Sequence, residues 1–127
     1  MTTFWTIGAD ATDPPRLARF WALALGYVIE EGFNEPDNTS IIDPEGRLPA
    51  IGFLKVPEPK TSKNRFHVDL RVAHALDVGP VERESLVHAK VAELVAAGAT
   101  EVRTEHYVEA FGHVVMLDPE GNEFCVA

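Results

Sequence analysis

Apolar positions recur along this chain with two periods, near two residues in some stretches and near three to four in others. Residues 3–10, TFWTIGAD, are apolar and β-branched with partial alternation, and predict a first strand. In TDPPRLARFWALALGY, Leu17, Phe20, Trp21, Ala24 and Leu25 fall at helical spacing. Thr12 or Asp13 can cap that helix, Pro14 and Pro15 occupy its first turn, and Gly26 suits its end. YVIEEGF, NTSIID and AIGFLKV predict three short strands, while PEPKTSKN is too rich in Pro and Lys for a central strand. RFHVDLRV then alternates, with Phe66, Val68, Leu70 and Val72 on one face and His67, Asp69 and Arg71 on the other. A longer loop, AHALDVGPVERE, precedes a second helix over SLVHAKVAELVAAGA, whose stripe is Leu86, Val87, Val91, Leu94 and Val95. Gly98 marks its stop, and TEVRTEHYV, GHVVML and EFCVA supply three more strands.

Both halves therefore read strand, helix, strand, strand, strand. Two landmarks support a duplication: Gly26 and Gly98 lie 72 residues apart, and the two DPEG strings begin 75 apart, at Asp43 and Asp118. The expected architecture is α+β, two tandem βαβββ modules in one domain spanning 1–127. Module 1 covers about 1–57, the linker about 58–64 and module 2 about 65–127. DPEG itself reads as a turn. Asp accepts backbone hydrogen bonds, Pro sets φ, and Gly tolerates positive φ where the chain returns.

Composition removes several function classes. Eleven basic against twenty acidic residues give a formal charge of −9, which disfavours nucleic acid. No apolar run approaches a spanning length and no basic leader opens the chain, so a cytoplasmic protein without a membrane partner is expected. The one cysteine, Cys125, cannot form an internal disulfide.

The strings DPPRLARFWALALGY, VPEPKTSKNRFHVDLRV and GHVVMLDPEGNEFCV, which lie along almost the whole chain, resemble the vicinal oxygen chelate superfamily and, more closely, its glyoxalase-like domain proteins. The resemblance implies a mixed sheet curled into a cup with the helices outside, a small molecule or metal in the cup, and a homodimer. In metal-dependent relatives the first and last strand of each module supply four ligands, mostly His and Glu, to a divalent ion. Here the opening positions match Thr6 and His67, the last strand of module 2 matches Cys125, and residues 48–54 hold no His, Asp, Glu or Cys. His67 and Cys125 are an atypical pair, so no cofactor is expected, and a divalent metal is disfavoured unless other residues have replaced the standard set.

The residues expected to line the cup are His67, Asp69 and Arg71, with Thr6 and Asp10 in the symmetric position and His113 and Phe53 beside them. Arg71 suits a carboxylate or enolate, His67 a donor or base, and Asp69 a partner that holds one of them. The plainer alternatives are a self-satisfied polar network and, for His113, a packed histidine. Trp5, Phe20 and Trp21 read as core aromatics, Cys125 as a buried inert thiol, and VEAFG after Tyr107 as a loop able to close over the cup. Three functions follow: a small-molecule binding protein for an anionic or aromatic heterocyclic ligand, a lyase, isomerase or dioxygenase-type enzyme with atypical residues, or a non-catalytic interaction protein.

Overall fold

Pro14 and Pro15 open the first helix in a computed structural model that describes residues 1–127. The chain divides into two units, Met1–Pro59 and Lys60–Ala127. In the first, β1 (Ile7–Ala11) leads to α1 (Pro14–Leu25), then β2 (Val28–Glu35), β3 (Asn38–Ile42) and β4 (Ile51–Lys55). Asp13 caps α1, its carboxylate accepting the Arg16 N–H at 3.3 Å. The sheet order is β1-β4-β3-β2, with β1 parallel to β4 and the other pairs antiparallel. Leu17, Phe20, Trp21 and Ala24 of α1 are buried with Ile41, Ile51 and Phe53 of the sheet. Each large side chain of this set contributes about 1.5–3 kcal/mol by leaving water. Phe20 and Trp21 meet edge to face at 5.5 Å.

The second unit repeats the order: β5 (Val68–Leu70), α2 (Pro80–Ala96), β6 (Thr100–Tyr107), β7 (Ala110–Leu117) and β8 (Glu123–Val126). Its sheet runs β5-β8-β7-β6, again with only the first pair parallel. Val87, Val91 and Leu94 of α2 are buried with Leu70, Val114, Met116, Phe124 and Val126. The two modules are thus βαβββ units with one parallel and two antiparallel pairings each. No helix is long and apolar enough to cross a membrane.

Four expectations change. The strand expected over 65–72 is three residues long, because β5 has a neighbour on one side only and Phe66 is 92% exposed. The second helix begins at Pro80 rather than Ser85: proline occupies its first turn after Gly79, as in α1, and Glu82 complements the first-turn dipole. VEAFG is not a closing loop. The chain reverses at residues 108–109, with Glu109 at φ 55°, and Ala110–Gly112 already belong to β7. Trp5 precedes β1 and is 61% exposed, so it is no core aromatic.

Both DPEG strings are turns of one design. The Asp43 carboxylate accepts the N–H groups of Glu45, Arg47 and Leu48 at 2.9–3.0 Å, and the Gly46 N–H donates to the Asp43 carbonyl at 2.9 Å. Asp118 accepts the N–H groups of Glu120 and Asn122 at 2.9 and 3.0 Å, and Gly121 returns to its carbonyl at 2.9 Å. Gly46 and Gly121 carry φ of 68° and 86°, which L side chains rarely adopt.

Candidate functional site

Strand register, rather than sequence proximity, assembles the polar cluster of the second unit. Asp69 on β5 pairs with Cys125 on β8, Cys125 with Val115 on β7, and Val115 with Arg103 on β6. Directly paired residues share a face, so this row runs across all four strands on the side away from the buried Val114, Met116, Phe124 and Val126. We call this the helix-free face, because α2 packs on the other.

Three chemically active side chains meet at one end of that row. His67 Nδ1 lies 2.8 Å from Asp69 Oδ1, and the Cys125 thiol is hydrogen-bonded to the same carboxylate. One ligand atom from each of the three lies within 4.8 Å of the others. His67 and Asp69 are exposed and Cys125 is half-buried. Burial pushes the Cys125 thiol pKa up, and the Asp69 charge and hydrogen bond push it further; Arg103 and Lys63 pull weakly the other way. Cys125 is therefore held as a thiol and is no activated nucleophile. The contact with Asp69 engages the imidazole through Nδ1, and Nε2 is the ring nitrogen left for a ligand.

A second cluster occupies the other end. Glu105 pairs with His113, Arg103 Nε donates to Glu105, and the Tyr107 hydroxyl lies 3.0 Å from His113 Nδ1. The Arg103 hydrogen bond and charge hold the Glu105 carboxyl below the usual range. Tyr107 reaches His113 across Gly112, where a Cβ would sit 2.8 Å from the Tyr107 ring and 2.6 Å from the Glu105 carbonyl oxygen.

The expected site residues distribute as follows. His67 and Asp69 are brought together with Cys125. Arg71 follows β5, where the Val72 N–H donates to Ala127 and extends the pairing, so it continues the same face, exposed and without an ion pair. His113 lies on this face, one strand from β8. In the first unit, exposed Thr6 precedes β1 and exposed Asp10 pairs with Leu54. Phe53 is a correction. It is 1% exposed and pairs with Ala9 and Thr39 on the α1 side, so it lines no ligand surface. Arg103, Glu105 and Tyr107 were not among the expected site residues. The alternation in TEVRTEHY places Arg103 and Glu105 on one side, and the bulges between Glu101 and Arg103 and between Glu105 and His106 obscure it.

The register also locates the position left open in the first unit. Gly8 pairs with Gly52 as Asp69 pairs with Cys125, so Gly52 is the counterpart of Cys125. By the resemblance, the ligand positions of metal-dependent relatives fall on Thr6 and Gly52 in the first unit and on His67 and Cys125 in the second. Gly52 offers no side chain and Thr6 only a neutral hydroxyl. The residues present do not fit the His/Glu centre.

Comparison with known proteins agrees with this topology. A family model described as a glyoxalase-like domain matches residues 6–127. Among solved structures, a glyoxalase/bleomycin resistance protein/dioxygenase family enzyme from Burkholderia phytofirmans PsJN superposes with a TM-score of 0.70 at 21% identity, covering 95% of this chain and 94% of that one. A possible glyoxalase from Bacillus cereus gives 0.69 at 16% identity, covering 99% and 98%. A fosfomycin resistance protein from Listeria monocytogenes, solved as a mutant with Mn(II) and a dihydroxypropylphosphonic acid, gives 0.68 at 10% identity, covering 99% and 90%. No curated protein matches the chain in sequence.

Proposed function

The chain belongs to the glyoxalase-like domain family, and on that premise we propose that it binds a small anionic or aromatic heterocyclic molecule on the helix-free face of its second sheet, without the family's usual four-ligand metal centre. The observation that carries this reading is the run His67, Asp69 and Arg71 beside Cys125. It is a polar wall on a sheet whose other side buries Leu70, Val114, Met116, Phe124 and Val126. Arg71 has no acidic partner, so its guanidinium can take a carboxylate or enolate in bidentate fashion. His67, oriented by Asp69, can donate to or accept from the same ligand. Tyr107 and His113 add rings at the far end, with centroids 5.8 Å apart, suited to an aromatic ligand edge.

A second reading is favoured by the 2.8 Å bond between His67 and Asp69. An imidazole fixed through Nδ1 presents Nε2 as a general base, and a neighbouring Arg71 would stabilise the anion left after proton removal from a carbon acid. That chemistry is a metal-independent isomerase or lyase step. Only the two exposed side chains and the substrate need take part.

The test is a thermal-shift screen of carboxylates, enolisable carbonyl compounds and aromatic heterocycles in the presence of a chelator, followed by titration of hits. His67→Ala and Arg71→Ala should each weaken binding at least tenfold while leaving the melting temperature nearly unchanged. Binding that survives both substitutions, or variants that lose stability but not affinity, would refute the proposed site.

A further inference from the structure

We propose that Arg71 and the Tyr107–His113 pair are the two ends of one binding site in the second unit, shaped for a short carboxylate that carries an uncharged oxo group one or two methylenes away. The inference rests on the reading above, in which Arg71 takes an anion, and adds which groups take the rest of that ligand.

Strand register brings these side chains into one row. His113 pairs with Glu105 across β6 and β7. The β7–β8 ladder, in which Val114 faces Val126, sets His113 level with Ala127. The Ala127 N–H donates to the Leu70 carbonyl at 2.7 Å, and its carbonyl accepts the Val72 N–H at 2.9 Å, which makes Arg71 its partner in the parallel ladder. Arg71, Ala127, His113 and Glu105 thus follow one another across all four strands on the helix-free face. The Ala127 methyl is the smallest side chain of the row and leaves its floor open between Arg71 and His113. Neighbouring strands lie about 4.8 Å apart, which puts the Cα atoms of Arg71 and His113 roughly 9–10 Å apart. For side chains that stand upright, hydrogen bonds of about 2.9 Å at each end leave roughly 4 Å between the two ligand oxygens. Oxygens on adjacent carbons sit too close for that span, and one or two intervening methylenes match it.

The two ends differ in charge. Arg71 is exposed and has no ion pair, so its guanidinium is open to a carboxylate. At the other end the Tyr107 hydroxyl engages His113 through Nδ1 at 3.0 Å, and Nε2 is the ring nitrogen left for a ligand. Tyr107 reaches that place across Gly112, where a Cβ would meet its ring. Glu105 stands beside His113 and is kept ionised by the hydrogen bond and charge of Arg103. A second ligand carboxylate at this end would approach that negative charge, whereas a carbonyl oxygen can accept from the hydroxyl or the imidazole without carrying charge toward it.

The test titrates the 127-residue chain, with chelator present, against 4-oxopentanoate, pentanoate, glutarate and 2-oxopropanoate, read by NMR shifts. The 4-oxo acid should bind about fivefold or more tightly than each of the others. Pentanoate lacks the oxo oxygen, glutarate replaces it with a charge, and 2-oxopropanoate has its oxygens on adjacent carbons. Arg71→Gln should weaken 4-oxopentanoate and pentanoate alike, by about tenfold or more. Tyr107→Phe and His113→Gln should each weaken 4-oxopentanoate about fivefold and leave pentanoate unchanged, a split that a merely structural role for the pair does not produce. Ala127→Leu should fill the floor and weaken both ligands while the circular dichroism spectrum stays that of the parent chain. Equal affinity for pentanoate and 4-oxopentanoate, tighter binding of glutarate, or a preference that survives both Tyr107→Phe and His113→Gln overturns the inference. Pentanoate binding that still depends on Arg71 would then leave the earlier reading standing. No saturable binding of any of the four overturns the inference and the anionic half of the earlier reading together.

Discussion

His67 Nδ1 lies 2.8 Å from Asp69 Oδ1, two residues along an edge strand whose only neighbour carries Cys125. Both side chains of the pair are more than 40% exposed, so water screens the interaction, and an exposed pair of this kind contributes about 0–1 kcal/mol. A contact of such small worth to folding is better explained by what it orients. His67→Ala should therefore leave thermal stability within about 1 kcal/mol of the parent chain. A large fall in melting temperature would mean that the pair serves the fold.

Cys125 supplies a chemical readout of the same cluster. Burial raises its pKa first, and Asp69 raises it further by charge and hydrogen bond. At neutral pH the thiolate fraction should lie below that of a solvent thiol, so iodoacetamide should alkylate the chain more slowly than it does glutathione. The rate should climb with pH through a midpoint above the ordinary cysteine value of 9.0. Asp69→Asn removes the charge but leaves the burial, and should speed alkylation without reaching the solvent-thiol rate. A variant no faster than its parent would show that Asp69 does not govern the thiol.

Features that depend on local spacing were legible in the sequence, and those that depend on pairing across strands were not. The DPEG turns, the Asp13 cap and the stripe of α1 all follow from residues within one turn or one helix of each other. His67 and Asp69 were grouped correctly because strand alternation places i and i+2 on one side. That Asp69 meets Cys125, 56 positions later, depends on the parallel register of β5 and β8. Phe53 failed for the same reason. Its one-residue offset from Gly52 decides between the α1 side and the helix-free side, and only the pairing with Ala9 fixes it.

The two DPEG turns should respond differently to loss of the aspartate. Asp118 is buried and receives two backbone N–H groups and the Asn122 amide. Asp118→Ala leaves those donors unpaired and should cost about 1–3 kcal/mol. Asp43 is more open, and its carboxyl is held below the usual 3.8, first by the Glu45 N–H, then by those of Leu48 and Arg47 and by the Arg47 charge. A depressed folded pKa stabilises the fold above the unfolded value and is lost as pH falls through the folded one. The stability difference between the parent chain and Asp43→Ala should hold from neutrality to about pH 5, then shrink as the medium falls below 3.8. Urea unfolding across that window measures it; a difference independent of pH would assign the turn's stability to something other than the ionised carboxylate.

Gly112 offers the sharpest steric contrast. A Cβ there would stand 2.6 Å from the Glu105 carbonyl oxygen and 2.8 Å from the Tyr107 ring, whereas one at Gly52 meets nothing within 4 Å. The Tyr107 ring could swing away, but the Glu105 carbonyl belongs to the β6–β7 ladder and cannot move without opening it. Gly112→Ala should thus cost about 1–3 kcal/mol as an overpacking change. It should also separate the Tyr107 hydroxyl from His113, now at 3.0 Å, which the His113 ring resonances would report by NMR. Gly52→Ala should be neutral, or stabilise by about 0.4–1 kcal/mol through the unfolded chain. If both alanines proved equally harmless, the Glu105 carbonyl would have room to move, and Tyr107 would not owe its place over His113 to the missing side chain.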